Sequence, residues 1–248
     1  MIKETGNTGI IHSVETCGTV DGPGIRFVIF TKGCPLRCLY CHNADCRHME
    51  DGKLMPVDEL IGEIEKYKSY FQYSGGGVTI TGGEPLMQPE FVKAVFQRCR
   101  KLGIHTALDT SGYVNLNVAK PVLEYADLIL LDIKSFDPDI YYKVTNVSLE
   151  PTLKFARYLN EIHKPTWVRF VLVPDLTDPV SNVTGLAKFI EPFDNVEKVE
   201  VLPFHKMGEY KWEQLGYDYQ LKTTEPPSEE LLERTVNIFK NHNLQVVA

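Results

Sequence analysis

No run of apolar residues in this 248-residue chain approaches the roughly 20 that a bilayer-spanning helix needs. Contact with a membrane is therefore not expected. The sequence does not open with a basic stretch followed by an apolar one, so no signal peptide is expected. Basic residues are in deficit: 26 Lys and Arg stand against 33 Asp and Glu, a formal net charge of −7. Without a basic surplus there are few phosphate counterions to release, which argues against nucleic acid as a partner. Low-complexity tracts, close internal repeats and linker-like stretches are missing. Cysteine is scarce at 6 residues and shows no disulfide framework. Without a signal sequence, such thiols read as reduced and the protein as cytoplasmic. The remaining composition is ordinary for a globular protein, at 43% hydrophobic and 24% charged. The length allows one α/β barrel-like domain or two small domains.

Half of the scarce cysteine is spent in one place. Cys34, Cys38 and Cys41 lie in KGCPLRCLYCHN with the spacing C-x3-C-x2-C. Clustered thiolates are soft ligands, suited to an iron–sulfur cluster or to zinc. A Cys-ligated 4Fe–4S cluster usually takes four cysteines, and this loop offers three. A metal position without a protein ligand can bind substrate. The other reading is a zinc loop completed by His42 or Cys46 in a binding or regulatory protein, although structural zinc more often shows paired C-x2-C spacings. Cys17, Cys46 and Cys99 lie outside the motif and read as spectators.

Hydrophobic patterning predicts strand–helix alternation repeated about six times. Strands are expected over residues 9–15, 25–31, 78–81, 105–109, 128–134, 166–174 and 196–203, with a last short one at 244–247. Helices are expected over 56–70, 88–102, 117–125, 151–162, 181–190 and 228–241. The architecture implied is α/β: one domain over residues 1–248, a partial (β/α)6 TIM-like barrel with core about 20–205 and short N- and C-terminal extensions. An open doubly wound sheet has the same periodicity.

Groups able to bind or react recur where the strands end, which is where α/β folds place their chemistry. The first core strand leads into the cysteines and the second into Gly82-Gly83-Glu84. Asp109 closes the third, Asp132 and Lys134 the fourth; Arg169 lies on the fifth, and His205 follows the sixth. Each has a plainer reading. Asp109 suits a turn or helix cap, Lys134 a solvated strand end, and His205 a satisfied loop histidine. Arg169 sits in an apolar strand and needs an anionic partner, from the protein or a ligand. Gly82 and Gly83 let the backbone approach a ligand closely. The turn TCGTVDGPGIR before the first core strand is by itself a plain hairpin turn.

Taken together, the cysteine loop and GGEP resemble the radical S-adenosylmethionine (SAM) superfamily. The segments TVDGPGIR, SGGGVTITGGEP, ALDTSGY, LILLDIK and VLPFHKMGEYKW narrow the likeness to the glycyl-radical-enzyme activating enzymes. Within that family they look most like the activases of pyruvate formate-lyase. The likeness runs from about Ile10 nearly to the C-terminus. It implies a 4Fe–4S cluster on Cys34, Cys38 and Cys41, with Tyr40, Cys41 and His42 lining the SAM side of the loop. It places the methionine part of SAM at Gly82, Gly83 and Glu84. Asp132, Ile133, Lys134, Arg169 and His205 complete the SAM pocket. Asp109 and Asp132 match positions for a monovalent cation, Na+ or K+, and Asp21 matches a contact with the protein substrate.

The activity implied is that of an oxidoreductase working anaerobically. SAM is cleaved reductively to methionine and a 5′-deoxyadenosyl radical, which takes a hydrogen atom from a glycine Cα of pyruvate formate-lyase. The resemblance assigns no catalytic acid or base. Flavodoxin or ferredoxin would donate the electron, and the chain would act as a monomer. Activation of another glycyl-radical enzyme, or chemistry on a small molecule, would use the same cofactors. The Cys-rich insert of some related activases is missing: only Cys46 lies between Cys41 and Ser74. Pro85 stands where some pyruvate formate-lyase activases have Ala.

Overall fold

The computed structural model describes residues 7–248, which divide into two compact units. The first holds the described residues up to Cys34, together with Cys46–Thr110 and Val114–Leu130. The second holds Pro35–Asp45, Ser111–Tyr113 and Leu131–Ala248.

The first unit opens with an antiparallel group: β1 (Thr8–Gly18) pairs with both β2 (Arg26–Thr31) and β3 (Lys53–Pro56). From β2 onward the pairing is parallel, to β4 (Gly77–Gly82) and then β5 (His105–Thr110). Continuous apolar strands such as β2, with Phe27, Val28 and Ile29 fully buried, suit a parallel sheet covered on both faces. The covering helices are α1 (Val57–Glu65), α2 (Lys68–Ser74), α3 (Pro89–Lys101) and α4 (Leu116–Leu123). On α3 the buried face is Phe91, Val92, Val95, Phe96 and Cys99, and the exposed face is charged. Burial drives the Cys99 thiol up to about 12, as expected of a spectator.

Strand β6 (Leu128–Asp132) begins in the first unit and ends in the second. The second unit continues with α5 (Pro138–Thr145), α6 (Glu150–Glu161), β7 (Thr166–Leu172), α7 (Val180–Ile190) and β8 (Val196–Pro203). It closes with α8 (Glu209–Gln214), α9 (Glu229–Lys240) and β9 (Val246–Val247); β7, β8 and β9 run parallel. Among the described residues no helix is long and apolar enough to cross a membrane.

The α/β alternation is the one expected, with local differences. The single helix expected over 56–70 is two. The chain leaves helical geometry at Tyr67 (φ −102°, ψ 3°), whose ring packs 5.6 Å from that of Phe27. Strand β3, helix α5 and helix α8 were not anticipated. The fourth core strand stops at Asp132, so Lys134 lies beyond its end.

Candidate active site

In the first unit, the cysteine loop leaves β2 through Lys32 and Gly33. Gly33 N–H donates to the Cys46 carbonyl at 2.8 Å, and Cys34 N–H to the Arg47 carbonyl at 3.0 Å. The end of β4 is tied to the same place: Gly83 N–H donates to Thr31 O and Glu84 N–H to Gly33 O, at 2.8 and 2.7 Å. This gives the glycine pair a reason that the sequence did not suggest. Gly82 has φ +110°, and a Cβ there would sit 2.4 Å from the Thr31 nitrogen; one on Gly83 would sit 2.2 Å from the Gly33 oxygen. Glycine is needed here because β2 and β4 pass backbone to backbone. The Gly83 and Glu84 N–H groups are thereby spent on the chain itself. Glu84 is buried and structural in part, accepting from Thr110 Oγ1 at 2.7 Å and capping the 3-10 turn Pro85–Met87 through Leu86 N–H.

The face of β4 bearing Gly77, Thr79 and Thr81 is polar, because alternate residues share a face. Thr81 Oγ1 donates to Asp109 Oδ2 at 2.6 Å, and Thr79 Oγ1 donates to the Asp21 carbonyl at 2.6 Å. Asp21 precedes β2, yet its turn folds onto the middle of β4. The same face of β4 therefore contacts both the Asp21 turn, through Thr79, and Asp109, through Thr81.

In the second unit, Cys38 and Cys41 are half-buried and outside any disulfide, as is Cys34 in the first. Their loop is pinned by its backbone: Arg37 N–H donates to Thr145 O at 2.8 Å and Leu39 N–H to Val144 O at 3.0 Å. Tyr40 is a wedge in an apolar cluster with Phe204, Trp212 and Tyr219. Lys134 Nζ lies 5.8 Å from its ring centroid and forms an ion pair with Asp132 at 2.7 Å. Burial alone would lower the Lys134 pKa, but the Asp132 carboxylate, with Tyr40 and Cys38, more than reverses this and holds it well above the usual lysine value. Asp132 is therefore balanced from within the chain. Arg169 has its anion too: Nε donates to Glu200 Oε2 at 2.9 Å, and Lys198 pairs with the other oxygen of Glu200. Ile133 buries its side chain fully and donates its N–H to the Arg169 carbonyl.

His42 and His205 lie ring against ring, centroids 4.2 Å apart, and His42 Nε2 donates to the His205 carbonyl at 3.1 Å. His205 Nδ1 and the Tyr40 hydroxyl are buried without a hydrogen-bond partner among the described residues. Buried polar atoms are seldom left so unless a water, an ion or a ligand satisfies them. Soft thiols and orphaned polar atoms in one unit fit a cluster-and-nucleoside site.

The residues that sequence reasoning missed hold the cysteine loop from behind. Trp212 Nε1 donates to the Cys41 carbonyl at 2.8 Å, and Lys211 Nζ reaches Asp45 Oδ2 at 3.0 Å. Gly208 leaves room for His42, whose Cα would lie 2.7 Å from a Cβ there. Trp212→Phe should therefore keep the aromatic packing and lose one hydrogen bond. The expected cost is about 1 kcal/mol, read as a lower urea midpoint with an unchanged slope.

Three comparisons bear on what such a loop belongs to. A family model described as the radical SAM superfamily matches residues 28–182. The chain is 48% identical over 229 residues to the pyruvate formate-lyase-activating enzyme of Staphylococcus epidermidis, covering 90% of this chain and 91% of that one. It is 43% identical over 241 residues to the pyruvate formate-lyase 1-activating enzyme of Escherichia coli K12, covering 96% and 98%. Among solved structures, a domain of a pyruvate-formate lyase-activating enzyme from Bacteroides vulgatus superposes with a TM-score of 0.60 at 29% identity, covering 70% of this chain and 98% of that one. With its three-cysteine loop and this extent of likeness, the chain belongs to the radical SAM superfamily and, within it, to the family of the pyruvate formate-lyase-activating enzymes.

Proposed function

We propose that this chain activates pyruvate formate-lyase by placing a radical on a glycine of that protein under anaerobic conditions. The observation that carries the reading is the half-buried C-x3-C-x2-C loop in a chain matching whole activating enzymes end to end. When bound, a 4Fe–4S cluster supplies the electron that cleaves SAM to methionine and a 5′-deoxyadenosyl radical, which takes hydrogen from the glycine Cα.

The chain's own residues bind, orient and exclude water. Cys34, Cys38 and Cys41 hold the cluster. The buried, unpartnered Nδ1 of His205 suits a polar atom of SAM, and Lys134 keeps its positive charge beside Asp132. Tyr40 and His42 shape the same side, as do Ile133 through its backbone and Arg169 through its link to Ile133. Gly82, Gly83 and Glu84 set the rim that receives the methionine moiety. Asp109 and Asp132 would ligate Na+ or K+ beside SAM, and Asp21 would meet the glycine loop of the partner. Flavodoxin or ferredoxin in the cytoplasm would donate the electron, and the chain would act as a monomer.

The test is anaerobic reconstitution with iron and sulfide, reduction, and addition of SAM with or without pyruvate formate-lyase. The expected result is 5′-deoxyadenosine together with a glycyl-radical signal in electron spin resonance. Cleavage of SAM without a radical on pyruvate formate-lyase would point to another glycyl-radical enzyme or a small-molecule substrate. A colourless protein indifferent to SAM would end the radical reading.

A further inference from the structure

The turn at Asp21 is held by a directional hydrogen-bond relay. Arg26, the first residue of β2, is fully buried. Its Nε donates to Thr79 Oγ1 at 2.9 Å, and Thr79 Oγ1 donates in turn to the Asp21 carbonyl at 2.6 Å. The direction is fixed by chemistry, since a guanidinium only donates and a carbonyl only accepts. One hydroxyl must therefore accept from one and donate to the other, which serine or threonine can do and valine cannot. Both terminal nitrogens of Arg26 are engaged close by: NH2 with Val78 O at 2.5 Å, and NH1 with Pro23 O at 3.5 Å and His105 Nδ1 at 3.1 Å. The His105 nitrogen must accept, which sets that ring's tautomer. The turn itself needs its glycines, with Gly22 at φ +125° and Gly24 at φ +64°. A Cβ on Gly24 would meet the Ser74 carbonyl at 2.5 Å. Thr79 lies two positions before Thr81, whose hydroxyl holds Asp109. One polar face of β4 thus anchors both the turn and the Asp109 carboxylate.

We propose that Thr79 is a positioning residue for radical transfer: its hydroxyl fixes the backbone of the Asp21 turn, against which the partner's glycine loop would lie. This rests on the reading of Asp21 as the contact with the protein substrate. Thr79 touches no reacting atom in this scheme. It acts by holding the Asp21 backbone, so losing its hydroxyl should misplace the partner's glycine while SAM is still cleaved. Uncoupled cleavage should follow.

The experiment is a graded series at one position, Thr79→Ser, Thr79→Cys and Thr79→Val, in the reconstituted enzyme. The readout is glycyl radical formed on pyruvate formate-lyase per 5′-deoxyadenosine released. Hydrogen exchange of residues 19–25 is measured alongside. A variant that merely folds less well lowers both products together and leaves the ratio alone. The expected ratio is that of the parent for Ser, lower for Cys with its weak donor, and about fivefold lower for Val, the scale of one lost hydrogen bond. Exchange in the turn should quicken in the same order. If Val does not fold, the Ser–Cys contrast carries the test. A parental ratio in the Cys and Val variants overturns the proposal, as does a Ser variant as impaired as Val. Asp21→Ala, which leaves the carbonyl in place, tells the two failures apart. If it lowers the ratio where Thr79→Val does not, the relay role alone is wrong. If neither lowers it, the turn is not where the partner binds and both readings fall.

Discussion

Alanine at Cys34, Cys38 or Cys41 is expected to abolish SAM cleavage, whereas alanine at Cys46, Cys17 or Cys99 is expected to leave it. The motif thiols are half-buried, as ligands facing a cofactor should be. Cys99 is fully buried with its thiol driven up to about 12 by burial, so it presents no thiolate near neutral pH. Cys46 is buried as well, and its carbonyl braces the loop through Gly33 N–H. An alanine there keeps the carbonyl. Each motif variant should lose bound iron and visible absorption together with 5′-deoxyadenosine production, down to background. Loss of iron in Cys46→Ala would mean a fourth thiol ligand, with no open iron left for SAM.

Gly83→Ala should be nearly as damaging, for a reason unrelated to ligand contact. A Cβ at Gly83 would lie 2.2 Å from the Gly33 carbonyl oxygen and 2.9 Å from that of Cys46. Both obstacles are backbone, so no side chain can swing away. The end of β4 and the start of the cysteine loop must separate, breaking Gly83 N–H···O Thr31 and Glu84 N–H···O Gly33. Overpacking of this kind costs about 1–3 kcal/mol. The effect on activity should be larger, since Gly33 precedes a proposed cluster ligand and a misplacement of about 1 Å can cost roughly 100-fold. The measurement is SAM cleavage per bound iron, next to the unfolding midpoint. A stable Gly83→Ala protein with parental cleavage would show that the two strand ends are not tightly coupled.

Strand–helix alternation, the cysteine loop following β2 and the polar groups at strand ends were all legible in the sequence, because each is a local property. Periodicity reports which residues are buried, and the spacing of thiols reports a soft-metal loop. The elements missed were short or weakly amphipathic. Helix α5 carried a readable start, with Asp137 accepting from Asp139 and Ile140 N–H ahead of Pro138, but the stretch was not recognised as a helix. Helix α8 has six residues, too few for a periodic signal. Between them these two provide the carbonyls of Val144 and Thr145 and the indole of Trp212 that hold the cysteine loop.

The sequence by itself determined the strand–helix alternation of the core, the three-cysteine spacing of the loop after β2 and the set of candidate donors near the strand ends. Only the tertiary structure decided who uses each of those groups. It gave Arg169 a partner in Glu200 and Asp132 one in Lys134, where the sequence left a ligand or a cation as an open choice. It turned the glycine pair into a backbone crossing, and it laid the Asp21 turn on the middle of β4 through Thr79. The physical reason is common to all but the Asp132–Lys134 pair, whose members lie two positions apart. Ion pairs, close backbone approach and hydroxyl relays join residues far apart in the chain, as 58 positions separate Asp21 from Thr79. A local pattern records what a side chain can do, whereas the fold selects the partner with which it does it.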